Sequence, residues 1–314
     1  MIPIIQGISY RFLIQTDIFK ELQKKAKNII LLVPNPTDSF YEDKNLYQNV
    51  IIDDYRQNEC EEYMRSSNLH IILNHIRNFV LNGQFDIDTT KVHHKAYIKD
   101  YWKNKPGYLN QLVFQITNLI IFAARYSKIL RKLILYIENI LFTPNIHSDL
   151  FENYQPDLLV VTSLGTFNYD QLFMRQAKKR NVQIISVIMS WDNTTTRGYP
   201  AAYSDLTIAW TDIMKGELIE LNDIDESKIQ VGGVALYDHY FKNDDYYSRD
   251  DLYDILNINK NLDILFFATK SPNCYVSNDY ITRLLIKAIN ENQFIREFQL
   301  LVRLHPIFFK RKKH

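Results

Sequence analysis

At 314 residues, with 46% hydrophobic and 23% charged side chains, the chain can bury about two domain cores, which excludes a disordered protein. Its 37 basic residues stand against 36 acidic ones, so no global field recruits nucleic acid and any charge argument is local. Cys60 and Cys274 are its only cysteines, in no metal-ligand spacing, which fits a reducing compartment.

Met1 to Ile5 enters strand-like sequence at once, without the basic head, apolar stretch and cleavage site of a secretory signal. No apolar run reaches the roughly 18 residues of a membrane span, and the expected location is the cytoplasm. Ile2 to Ile5 reads as a buried strand, followed by a polar turn around Gly7 and Ser9. A helix then starts with Thr16 as its cap and Ile18, Phe19, Leu22 and Ala26 as its inner stripe. Ile29 to Val33 is a second strand, which makes the opening a βαβ unit and implies a parallel sheet. Arg11, just beyond the first strand, either binds an acidic substrate group or is an ordinary exposed or ion-paired arginine.

Val50 to Asp53 reads as a third strand, and from Glu59 to about Phe142 the pattern is helical, an insertion before the next strand. His70, His75, His93 and His94 lie here, but none forms the i, i+4 pair of a helical metal site. Ile116, Leu119, Ile120, Ala123, Tyr126, Leu130, Leu133, Ile137 and Ile140 recur at helical spacing, as the core-facing stripe of one long helix would. Lys95, Lys99, Lys103, Lys105, Arg125, Lys128, Arg131 and Lys132 are opposed locally only by Asp100. Beside Tyr97, Tyr101, Trp102 and Tyr108, they form either a solvated basic face or a surface that leans on an anionic membrane or a partner.

After Pro144 the chain alternates strand and helix: Asp157 to Val161, a helix capped by Thr166 and running to Arg180, Gln183 to Ile188, Leu206 to Trp210, a helix capped by Thr211, and Ile229 to Val231. If these strands are parallel, their exit loops share the carboxyl edge of the sheet, where open α/β sheets place ligands. Two of those loops carry chemistry. Ser163, Gly165 and Thr166 stand where amides at a helix start meet an anion, or else simply serve a turn and a cap.

The second loop runs Ser190-Trp191-Asp192-Asn193-Thr194-Thr195-Thr196-Arg197-Gly198. Hydroxyls and a guanidinium suit phosphate or sugar groups, Trp191 suits a ring face, and Asp192 suits a proton acceptor. A turn alone explains Ser190, Asp192 and Asn193 as capping residues; Trp191 and Arg197 favour a site over a turn. The loop is expected to line the cleft between two domains. No Asp-X-Asp pair directly follows a strand, and Asp53-Asp54 and Asp244-Asp245 read as solvated charge, so no metal is expected.

Asn243 to Asp251 is the expected boundary, dividing the chain into residues 1–242 and 243–314. Beyond it come a short helix from Leu252 to Leu256, a strand from Leu262 to Phe267, a helix from Asn278 to Asn292, and a strand from Leu300 to Arg303 ahead of His305-Pro306. The expected fold class is therefore α/β: a Rossmann-like parallel sheet with a helical insertion, then the opening of a second, incomplete Rossmann-like domain.

The order Ser163-Leu164-Gly165, Ser190-Trp191-Asp192-Asn193 with Thr195, Thr196, Arg197 and Gly198, then Trp210, Val231-Gly232-Gly233 and Tyr237-Asp238 resembles bacterial glycosyltransferases of the GT-B kind. It is most similar to envelope-polysaccharide transferases whose relatives include the CDP-glycerol glycerophosphotransferases and the UDP-N-acetylglucosamine 2-epimerases. Val302-Arg303-Leu304-His305-Pro306 resembles the strand and His-Pro step of those families. The resemblance is strong from Asp157 to Asp238 and loose before Thr37.

It implies transfer of a sugar or a polyol phosphate from a nucleotide-activated donor to a cell-envelope glycan or lipid-linked acceptor. Asp192 would be the base and His305 would approach a donor phosphate. Ser163, Gly165, Thr166, Ser190, Trp191, Asn193, Thr195, Thr196, Arg197, Gly198 and Arg11 would bind substrate. No cofactor is implied beyond the donor itself, and no nucleic acid; a peripheral contact with the inner face of a membrane fits the lipid-linked acceptor. In those families later strands of the second domain hold the donor nucleotide, and they are missing here. A C-terminally truncated, non-catalytic remnant or binding module is thus the alternative, beside a UDP-sugar 2-epimerase-like enzyme.

Overall fold

The computed structural model describes residues 1–38, 49–85, 87–99, 107–166, 169–242, 247–271, 277–305 and 308. Cys274, Pro306 and, within the basic aromatic segment, Asp100, Tyr101, Trp102, Lys103 and Lys105 lie outside the described residues, as do Asp244 and Asp245. The chain divides into two compact units, Met1–Asp238 and His239–His314.

The first unit opens with β1 (Ile2–Pro3), α1 (Gly7–Leu13), α2 (Asp17–Lys25), β2 (Ile29–Val33) and β3 (Val50–Asp54). Six helices follow: α3 (Gln57–Arg65), α4 (Asn68–Asn78), α5 (Asp88–Tyr97), α6 (Tyr108–Arg125), α7 (Lys128–Leu141) and α8 (Ser148–Tyr154). Strand and helix then alternate through β4 (Leu158–Val161), α9 (Asp170–Lys179), β5 (Gln183–Val187), the single turn α10 (Asn193–Thr196), β6 (Leu206–Ala209), α11 (Asp212–Glu220) and β7 (Ile229–Val231).

All pairings are parallel, in the orders β1-β2-β3 and β4-β5-β6-β7. The Met1 ammonium donates to Leu158 O at 2.8 Å and Val160 N donates to Met1 O at 3.0 Å. One residue bonded to both neighbours of its partner is the parallel ladder pattern. The two sheets therefore run on into one another through β1 and β4, in the order β3-β2-β1-β4-β5-β6-β7. The strand order reverses between β1 and β4, as in doubly wound Rossmann-like folds.

Both faces of this sheet are covered, which is why β2 reads as the unbroken apolar run Ile29–Val33 rather than an alternating one. Ile30, Leu32, Leu159, Val161 and Ile184 pack against Cys60, Phe151 and the α9 residues Leu172 and Phe173. Their neighbours Ile29, Leu31, Val33, Val160 and Val187 pack against Phe12, Leu13 and Phe19 of α1 and α2. Emptying one of these fully buried positions, as in Leu31→Ala, costs about 2–5 kcal/mol by transfer and cavity together.

Four local expectations are corrected. The polar turn around Gly7 and Ser9 is the start of α1. Thr16 precedes α2 but does not cap it with its side chain; its hydroxyl donates back to Phe12 O and Leu13 O and closes α1 instead. Thr166 is not the cap of α9, whose cap position is Tyr169. The long helix is two, broken at Ser127, whose hydroxyl accepts from Leu130 N and starts α7.

The apolar stripe of that pair faces outward. Ile116, Leu119, Ile120, Tyr126, Leu130, Leu133, Ile137 and Ile140 are exposed, whereas Thr117, Ile121, Ala124, Arg131, Ile134, Leu135 and Glu138 are buried. The inner face sets two charges, Arg131 and Glu138, among apolar residues that pack on α4, and both charges meet ionic partners. Glu138 lies 2.9 Å from Arg77 and 2.6 Å from Arg175, and Arg131 lies 2.7 Å from Asp223. Burial raises the Glu138 pKa, but the two guanidiniums more than offset it and hold the carboxyl below its usual range. Arg131 is accordingly no part of a solvated basic face.

The second unit comprises α12 (His239–Lys242), α13 (Arg249–Leu256), α14 (Asn278–Asn290) and the parallel pair β8 (Asp263–Ala268) and β9 (Phe298–Arg303). Ser248 and Asp251 form a reciprocal capping box at the start of α13.

Candidate functional site

Because β1, β4, β5, β6 and β7 are parallel, Ser9, Ser163–Gly165, Ser190–Asp192, Trp210 and Gly232 all follow their strands at the same carboxyl edge. At the reversal of strand order, the Ser9 and Thr162 hydroxyls share a hydrogen bond of 2.8 Å. One turn further along α1, Phe12 stacks on Trp210 with ring centroids 6.0 Å apart, and the Trp210 indole N–H donates to Ile188 O. This ties α1 to the exits of β4, β5 and β6.

In the β4 loop, Gly165 N donates to Ser163 Oγ, which donates to the Asp170 carboxylate at 2.6 Å. Asp170 is fully enclosed, and burial pushes its pKa up to about 7 against the opposing effect of the Ser163 hydrogen bond. Gly165 has φ +72°, and a Cβ there would stand 2.8 Å from the Ala201 side chain, so this loop closes directly on the chain that follows the β5 loop. Ala201 N donates to Leu164 O at 2.9 Å across the same seam. Thr166 is half-buried beside it.

The β5 loop is clamped along its length. Ser190 Oγ donates to the Asp192 carboxylate at 2.5 Å, and Thr196 Oγ1 reaches the same carboxylate at 3.3 Å. Thr195 and Thr196 also donate to Asp192 O, closing the single turn α10 with their own hydroxyls. From outside the loop, Thr90 donates to Thr195 O, Asn222 donates to Thr194 O, and Thr194 donates to Glu217. At its end Gly198 has φ +86°, and a Cβ would meet the Asn78 backbone at 2.7 Å, so glycine permits α4 to press against the loop. Arg77 completes that contact by donating to Tyr199 O at 2.8 Å.

Four side chains of this loop bear on what it could hold. Trp191 is 73% exposed, and Arg197 is exposed at the other end of α10. Asp192 is half-buried, its carboxylate fixed but reachable. Asn193 is only 3% exposed, and neither its Oδ1 nor its Nδ2 has a hydrogen-bond partner. Leaving a buried amide unmet costs about 1–3 kcal/mol, and both of its polar atoms are enclosed, so a ligand meets them only where the turn around Asn193 opens.

Two sequence-predicted residues belong to neither of these loops. Arg11 borders a separate depression of about 280 Å³ at the exits of β1 and β2, with Gln6, Gly7 and Pro34. His305 belongs to the second unit, where its backbone N–H donates to Thr269 Oγ1 at 2.8 Å just past β9. Sequence reasoning overlooked Asp170, Ser9 and the clamp residues Thr90, Glu217 and Asn222. Asp170 left one signal, a carboxylate in a first helical turn seven residues after Ser163; the others left none, because their partners are distant in sequence. Among the described residues, no three His, Cys, Asp or Glu side chains converge to hold a metal ion.

The fold is thus an α/β fold with parallel sheets, compatible with the Rossmann-like class. Compared with protein families and with curated proteins, the chain matches none.

Proposed function

We propose that this protein transfers a sugar, or a polyol phosphate, from a nucleotide-activated donor to a cell-envelope glycan or lipid-linked acceptor. The observation that carries the reading is the loop after β5. It is rigidly held at the carboxyl edge of a parallel sheet, and it sets a reachable carboxylate, an exposed indole and a buried, unpaired amide in three consecutive residues. Sugar acceptors present hydroxyls and a ring face, which Asp192 and Trp191 suit as base and stacking surface. The Asn193 amide holds one acceptor and two donors unmet, for a polar ligand that opens the turn enclosing them. The resemblance of Ser163-Leu164-Gly165 and of Ser190 to Gly198 to GT-B-type transferases supports the same reading.

A panel of UDP-, CDP- and GDP-linked donors, titrated calorimetrically into the full chain, tests it. One donor is expected to bind, and Arg197→Ala is expected to weaken substrate binding without a separate loss of turnover. With an acceptor present, Asp192→Asn should lower turnover on the order of 10² while the fold stays intact. Failure of every donor to bind, or an Asp192→Asn protein as active as the wild type, sinks the proposal. Product analysis separates transfer from 2-epimerisation.

A further inference from the structure

The α6–α7 hairpin carries a feature that the fold does not explain. On α6, Leu112, Ile116, Leu119 and Ala123 recur at i, i+4, i+7 and i+11, all on the exposed side. On α7, Ile129, Leu133, Tyr136 and Ile140 repeat the same spacing on the exposed side. Both helices pack on α4 and on each other, so the faces opposite α4 look the same way and form one apolar surface. Contiguous exposed apolar surface on this scale marks an interaction site.

We propose that this face rests on an anionic lipid surface. The choice of occupant follows from charge. From 107 to 142 the only acidic residue is Glu138, and it is buried against Arg77 and Arg175. Lys128 and Lys132 are exposed at the start of α7, with Lys132 flanking the stripe. A second copy docked through the same face would bring these lysines to a surface without a single exposed carboxylate. An anionic headgroup layer supplies the missing negative charge, while the apolar stripe enters the acyl boundary to roughly 5–10 Å.

Exposed Tyr108, Tyr126 and Tyr136 give the amphipathic rings that sit at headgroup level. The helices, 18 and 14 residues or about 27 and 21 Å long, lie along such a surface, and no helix among the described residues is long and apolar enough to cross it. This inference stands on the insertion alone and is independent of the chemistry assigned to the β5 loop.

The test is flotation of the full chain with vesicles of equimolar phosphatidylcholine and phosphatidylglycerol, beside vesicles of phosphatidylcholine alone. Binding is expected to the mixed vesicles, to fall as salt rises towards about 1 M, where screening acts within roughly 3 Å, and to be much weaker on the neutral ones. Replacing both Lys128 and Lys132 by Gln should lower partitioning about 25-fold, about 5-fold for each cation. Leu119→Ser with Ile129→Ser should abolish it without changing the thermal melt, because these side chains are 67% and 79% exposed.

Equal binding to both vesicle types, or binding to neither, overturns the proposal. So does a dimer seen by light scattering that the Leu119 and Ile129 substitutions split, which assigns the face to a second copy. The lipid and salt comparisons on the wild-type chain decide the matter even if a variant misfolds.

Discussion

The helical insertion buries charges that are paired, whereas the loop after β5 buries an amide that is not. Glu138 sits between Arg77 and Arg175, and Arg131 sits against Asp223 and Tyr199's neighbourhood, all with almost no exposure. Those charges compensate one another, although one Glu138 oxygen and Arg175 Nε make no hydrogen bond, and they hold α4 and α7 on α9 and on the chain before β7. Asn193 is equally hidden and has no such explanation within the described residues. His75 in α4 is as hidden, with neither ring nitrogen hydrogen-bonded, so an unmet buried group points to a site only where, as at Asn193, it sits on a loop at the carboxyl edge of the sheet.

The largest expected effect breaks the paired side of this comparison. Glu138→Ala leaves Arg77 and Arg175 as uncompensated charges in a closed interior and should cost about 3–5 kcal/mol of unfolding free energy, measured in urea. A loss below about 1 kcal/mol would mean that the cluster is hydrated and the contrast with Asn193 is void.

The next effect is a pH dependence from the β4 loop. Asp170 has its carboxyl raised from 3.8 to about 7 in the folded chain, so between those values the native state holds a proton that the unfolded state has released. Stability from this group is therefore present below pH 3.8 and is lost as pH rises towards 7. Asp170→Asn removes that dependence. It should be close to neutral near pH 4 and stabilising by up to about 4 kcal/mol at pH 8.

The wild-type curve also contains an opposite slope. Burial lowers His70 and His147 to about 4 and His75 to about 3, so these residues oppose folding as pH falls below 6.5. The Asp170→Asn difference, rather than the wild-type curve alone, isolates the carboxyl. The same stability gain at pH 4 and pH 8 would show that it is not enclosed.

How much of this was legible follows the kind of signal each region leaves. Ile29–Val33 and Leu158–Val161 announce buried parallel strands because a strand covered on both faces needs apolar residues at every position. Given parallel strands, the common edge of the Ser163 and Ser190 loops follows from topology. The insertion was legible as helical, but periodicity shows which residues share a face and not which way that face is turned. Ile116, Leu119 and Leu133 face outward because Arg131 and Glu138 find partners at Asp223, Arg77 and Arg175, far away in sequence. In the loop, the residue types of Ser190 to Gly198 were plain. The press of Gly198 on Asn78 and the isolation of the Asn193 amide were not, since both are properties of what arrives from elsewhere in the chain.

The smallest expected effect sharpens the unpaired side, and it rests on two adjacent residues. Thr194 and Asn193 are both buried in α10, but the Thr194 hydroxyl donates to Glu217 while the Asn193 amide meets nothing. Thr194→Ala removes a hydrogen bond to a charged group and should cost about 1.5–3 kcal/mol. Asn193→Ala relieves the cost of an unmet buried amide, about 1–3 kcal/mol, against the small cavity it leaves, so the protein should be no less stable than the wild type. Binding of whichever nucleotide-linked donor the calorimetric panel identifies should respond in the other order, falling on the order of tenfold or more for Asn193→Ala and less for Thr194→Ala. An Asn193→Ala protein that loses stability as Thr194→Ala does, yet binds the donor as the wild type does, would make Asn193 one more member of the scaffold and leave Trp191 and Asp192 to carry the site without it.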